Sequence, residues 1–132
     1  MLDSLDARTA AEFWRELLGY HYRAGDEAPA DGQPDPNGWD WLVLLDESGD
    51  PRMAFQQVDQ QTRTTWPDQA VPQQLHLDLT VPDAVSLDRQ HERVIELGGE
   101  LRFDRRDDPH EALRVYVDPD GHPFCIMVEH TG

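Results

Sequence analysis

The chain contains no lysine: all 11 basic residues are arginine, set against 27 acidic residues, for a formal net charge of -16. An acidic excess of this size repels phosphate backbones and anionic headgroups, so neither nucleic acid nor a membrane surface is expected as a partner. The arginine-only usage reads as a coding bias rather than as a site. Cysteine is nearly missing as well. With Cys125 alone there can be no intrachain disulfide, and a zinc cluster built on several thiolates is excluded. Long apolar runs are also lacking. No stretch approaches the roughly 20 residues that span a bilayer, and the opening MLDSLDARTAAEFW has no basic patch followed by an apolar run, so a cytoplasmic protein is expected. What is present, 132 residues of which 38% are hydrophobic and 29% charged, suffices for one compact domain with its own core.

Along the chain, a stub from Met1 to Leu5 precedes Asp6, a good N-cap, and then Ala10, Phe13, Trp14, Leu17 and Leu18 recur at helical spacing up to Gly19. Tyr20 to Arg23 favours a strand. Ala24 to Gly38 is rich in Pro, Gly and Asp and reads as a loop over the surface. Trp39 to Asp46 is apolar on both faces in its middle, as in a strand covered on two sides, and Met53 to Val58 returns as its partner after a turn. Residues 59 to 71, with Trp66 and Pro67, have no clear period and read as a connector between two halves or as a lid.

The second half opens on PQQLHLDLTV, Pro72 to Val81, in which Leu75, Leu77, Leu79 and Val81 alternate with His76, Asp78 and Thr80. This is the period-two pattern of a strand between two unlike environments. Its Leu face should carry the following helix, so His76 is expected on the face away from it. That helix starts at Pro82 and Asp83, takes its apolar stripe from Leu87, Val94, Ile95 and Leu97, and ends at Gly98 and Gly99. Strands follow at Glu100 to Phe103, Leu113 to Val117 and Phe124 to Glu129, separated by turns at 105 to 110 and 118 to 123. A helix plus three strands thus occurs twice, which suggests an internal duplication.

Four strings carry a resemblance across nearly the whole chain: FQQV (Phe55 to Val58), TWPD (Thr65 to Asp68), PQQLHLDL (Pro72 to Leu79) and DPDGHPFC (Asp118 to Cys125). In this order and spacing the sequence resembles the glyoxalase-like branch of the vicinal oxygen chelate superfamily. The resemblance implies an α+β fold of two βαβββ modules, about residues 1 to 58 and 72 to 130 of one domain, whose mixed sheets form a cup. It also implies a homodimer. Its members include glyoxalase I, extradiol dioxygenases, fosfomycin-resistance enzymes and non-catalytic bleomycin-binding proteins, so fold alone does not fix function.

Metal enzymes of that superfamily draw ligands from the first and last strands of each module, which allows a position-by-position comparison. His76 matches the histidine of the fifth strand, and Gln56 stands where the fourth strand can supply a ligand. Cys125 falls where the eighth strand would carry Glu, while Glu129 shares its parity further along. Aligning the helix-ending Leu-Gly pairs puts the first-strand counterpart of His76 ahead of Met1. The resemblance therefore implies that His76, Gln56, Cys125, Asp78 and Trp41 line a ligand site with no resident metal. If a divalent metal is bound, its ligands are expected to be His76, Gln56 and Glu129.

Each candidate also has a plainer reading. His76 can be a hydrogen-bonded structural histidine, Cys125 a small buried hydrophobe and His91 a satisfied core histidine on the helix stripe. Trp39, Trp41 and Trp66 can be core rather than pocket wall. Two functions follow: a small-molecule-binding protein, or a metal-dependent lyase, isomerase or dioxygenase.

Overall fold

Asp6 opens the first helix by accepting the amide hydrogen of Thr9 at 3.2 Å, and Gly19, at φ 70°, closes it in the left-handed conformation that glycine adopts without strain. The computed structural model describes residues 1–129, and helix α1 is Ala7–Leu18. Its Phe13 and Trp14, 2% and 0% exposed, pack on strands β3 (Trp41–Leu45) and β4 (Pro51–Gln57), which contribute the buried Leu42, Leu44 and Phe55. The remaining strands of this unit are β1 (Leu2–Ser4), parallel to β4, and β2 (His21–Tyr22), antiparallel to β3. The sheet order is β1-β4-β3-β2.

The same plan recurs. Strand β5 (Leu77–Val81) leads into helix α2 (Ala84–Glu96), which Asp83 caps through the Ser86 amide at 2.7 Å. Strands β6 (Glu100–Arg105), β7 (Leu113–Val117) and β8 (Pro123–Val128) complete a sheet of order β5-β8-β7-β6. The fold is α+β, two βαβββ modules each built on a four-stranded mixed sheet. The chain divides into two compact units, Met1–Thr62 and the residues from Arg63 onward.

Several expectations need correction. The segment expected as a strand from Pro72 pairs only from Leu77, and Leu75 is 61% exposed. Its partner β8 starts at Pro123, where the chain leaves the Asp118 to His122 turn, so residues 72 to 76 have no strand to bond. Part of the connector belongs to the second unit, since Arg63 Nη1 donates to Pro119 O at 2.9 Å. Trp39 and Trp41 are 67% and 37% exposed rather than core: Trp39 ends the turn that precedes β3 and Trp41 is the first residue of that strand. Ile95, 46% exposed, lies off the α2 stripe, which rests on fully buried Leu87 and Val94. The loop from Ala24 to Gly38 is pinned: Asp26 accepts the Val43 amide at 3.0 Å, and Asp35 takes two bonds of 2.8 Å from the Arg8 guanidinium.

Candidate functional site

In the second unit, β5 and β8 run parallel with Leu77 opposite Phe124 and Asp78 opposite Cys125, while β7 sets Tyr116 opposite Phe124 and Val115 opposite Cys125. His91 of α2 reaches the Tyr116 hydroxyl at 2.9 Å, so the row Leu77, Phe124, Tyr116 faces the helix. Side chains alternate along a strand, so the row Asp78, Cys125, Val115 faces the other way. His76 joins that second row, its Nε2 standing 3.2 Å from Asp78 Oδ1. This is the face expected for it, and His91 is the structural histidine that the helix stripe required.

The floor of this face is apolar. Leu113, Val115 and Cys125 form a buried cluster with Met127 and Trp66 packed against it. Trp66 also lies on the His76 ring, centroids 4.7 Å apart and planes 15° from parallel. Each imidazole nitrogen has an oxygen beside it, Asp78 Oδ1 at 3.2 Å from Nε2 and Gln73 Oε1 at 3.0 Å from Nδ1. Asp78 keeps a largely exposed carboxylate, its side chain 57% accessible. Burial, with the neighbouring Asp78 charge adding to it, pushes the Cys125 thiol up to about 11, so it is protonated at neutral pH.

The same three side chains could hold a divalent ion. His76, Asp78 and Cys125 each offer one ligand atom, all within 4.8 Å of one another. Donors around a tetrahedral zinc at about 2.0–2.3 Å sit roughly 3.3–3.8 Å apart, so the set fits in donor type and nearly in spacing, provided that the thiol gives up its proton. An ion held there would supply Lewis acidity toward a bound carbonyl or hydroxyl.

Gln56 and Trp41 belong to the first unit, where Gln56 is paired in register with both Asp3 and Trp41. Among the described residues the potential ligand group around His76 contains Asp78 and Cys125 and does not include Glu129, which follows the end of β8 and donates its amide to Val81 O. Sequence reasoning passed over Gln57. It spans the start of α1, accepting the Ala7 amide at 2.9 Å and donating to Leu5 O at 2.6 Å. The first-strand counterpart of His76 is also placed differently. Leu2 and Asp3 pair with Phe55 and Gln56 as Leu77 and Asp78 pair with Phe124 and Cys125, so the residue preceding Leu2, Met1, takes that position. Aligning on the helix ends misplaced it because β5 and α2 are longer than β1 and α1. In the first unit a cavity of about 410 Å³ is bordered by Glu12, Arg15, His21 and Tyr22, and none of the expected site residues line it.

With this geometry in hand, the sequence matches the glyoxalase-like domain family over residues 1–127. The chain belongs to the glyoxalase-like domain family. Solved structures agree on the fold of this glyoxalase-like protein. A glyoxalase/bleomycin resistance protein/dioxygenase family enzyme from Burkholderia phytofirmans PsJN superposes with a TM-score of 0.66 at 14% identity, covering 97% of this chain and 94% of that one. The fosfomycin resistance protein FosX from Mesorhizobium loti gives 0.65 at 16% identity, covering 98% and 87%. A glyoxalase/dioxygenase from Nostoc punctiforme gives 0.61 at 17%, covering 99% and 89%. Among curated protein sequences none matches the chain. No helix among the described residues is long and apolar enough to cross a membrane.

Proposed function

We propose that this glyoxalase-like protein binds a small molecule on the second-unit face that carries His76, Asp78 and Cys125, without a resident catalytic metal. The observation that carries the reading is the composition of that face. An apolar floor of Leu113, Val115 and Met127 is bordered by a fixed imidazole and an exposed carboxylate, which is the usual make-up of a small-molecule site: apolar area for affinity and a few polar groups for orientation. The test is a ligand screen by thermal shift in chelator-treated protein. Ligands are expected to raise the melting temperature without added metal, and His76→Ala and Asp78→Ala to abolish the shift. Hits that appear only with a divalent ion would overturn the metal-free reading.

That outcome would favour the second function, a metal-dependent lyase, isomerase or dioxygenase, for which the clustering of the imidazole, carboxylate and thiol within 4.8 Å is the supporting observation. Cobalt(II) titration separates the two. Sulfur-to-metal charge-transfer absorption lost in Cys125→Ala would place the thiolate on the ion, and its absence at stoichiometric cobalt would leave the binding function.

A further inference from the structure

Residues 64 to 71 close on themselves. Thr64 Oγ1 donates to Val71 O at 2.6 Å and accepts the Trp66 amide at 3.0 Å. Thr65 N donates to Val71 O at 2.9 Å, and Thr65 Oγ1 accepts the Val71 amide at 2.8 Å. Within the strap, Asp68 N reaches Thr65 O at 2.9 Å and Ala70 N reaches Asp68 Oδ1 at 2.7 Å. The root is tied to the unit by Arg63 on Pro119 O and by Arg102 on Thr64 O, at 2.9 and 3.5 Å. A strap bonded mainly to itself and anchored at its root can open as one cooperative local unit, losing those internal bonds together once the contacts of its tip are released. The tip is Trp66, laid on His76 and on the Leu113, Val115, Cys125 and Met127 floor.

We propose that this strap is a lid and that Trp66 holds the place of the ligand: a flat aromatic molecule carrying a hydrogen-bond donor displaces the indole, stacks on His76 and donates to Asp78. The inference rests on the small-molecule function above and adds its ligand class and its gate. Three features select that class. The indole shows that an aromatic plate fits against this imidazole. The oxygens beside its two nitrogens belong to Gln73 and Asp78, neither of them in the strap, so the platform persists when Trp66 leaves. The acceptor beside it is the exposed carboxylate of Asp78, in a chain of net charge -16, which favours a neutral or cationic donor over an anion.

The test is amide hydrogen exchange on the full chain, alone and with tryptamine or indole-3-acetate, which share a ring and differ in charge. The bonded amides of Thr65, Trp66, Asp68, Ala70 and Val71 are expected to exchange together, at least about tenfold faster than those of β7 and β8. Tryptamine at millimolar concentration should speed the strap further, indole-3-acetate should not, and Asp78→Ala should remove the tryptamine effect. Strap amides that exchange no faster than β8 overturn the lid and leave the small-molecule function standing. A mobile strap indifferent to tryptamine, or equally sensitive to indole-3-acetate, overturns the ligand class.

Discussion

Asp78 and Cys125 stand opposite each other on parallel strands, with a carboxylate oxygen and the thiol sulfur within 4.8 Å of each other. Burial is the larger cause of the raised thiol value and the Asp78 charge adds to it. In chelator-treated protein the alkylation rate of Cys125 by iodoacetamide should therefore rise with a midpoint near 11 rather than the ordinary 9.0. Asp78→Asn should bring the midpoint part of the way down, since the buried surroundings remain. A midpoint at the ordinary thiol value would refute the assignment. Because the folded thiol ionises later than the unfolded one, stability is intact below the ordinary value and falls as pH rises between the two. The loss should be about 1–2 kcal/mol, absent in Cys125→Ala, by urea denaturation across that range.

Neighbouring glutamines should behave in opposite ways. Gln57→Ala removes the acceptor of the Ala7 amide and the donor to Leu5 O at the start of α1, and should cost about 1 kcal/mol in chemical denaturation. Gln56→Ala, on the exposed face of the same strand, should change stability by less than about 0.5 kcal/mol. Equal losses would contradict the face assignment.

Tyr116 joins the second sheet to its helix through His91 and is fully buried. Tyr116→Phe keeps the stacked ring against Phe124, centroids 5.4 Å apart, and removes only the hydroxyl. A loss of about 1–2 kcal/mol in urea denaturation is expected, because the His91 nitrogen is left half-buried without its partner. No loss would mean that His91 finds water instead.

Gly121 in the turn between β7 and β8 has φ 85°, and a Cβ built there would lie 3.0 Å from the Arg63 guanidinium carbon. Gly121→Ala combines a left-handed backbone with that crowding. It should cost about 1–2 kcal/mol, read by thermal denaturation. Arg63→Ala in the same background should recover the crowding share and leave the backbone share.

How much of this was legible beforehand differs by element. Helices α1 and α2 announce themselves through Asp6, Asp83, Gly19 and their apolar spacing, since caps and stripes are local and one helical turn samples its own neighbours. Strands β7 and β8 could be read from their short apolar runs and the turn between them. The face carrying His76 could be read from parity, because a strand's two sides are fixed by its period. The length of β5 could not, because a strand exists only where a partner offers bonds, and β8 begins at Pro123. Nor could the sequence tell Gln56 from Gln57, whose roles depend on which of two faces meets α1. The company His76 keeps was likewise beyond it. Period and motif put the imidazole, the carboxylate and the thiol in one chain, but Trp66 reaches His76 only because segment 64 to 71 bonds to itself and folds back. Local chemistry sets which residues can act; long-range packing, which no short window of sequence contains, decided which of them meet.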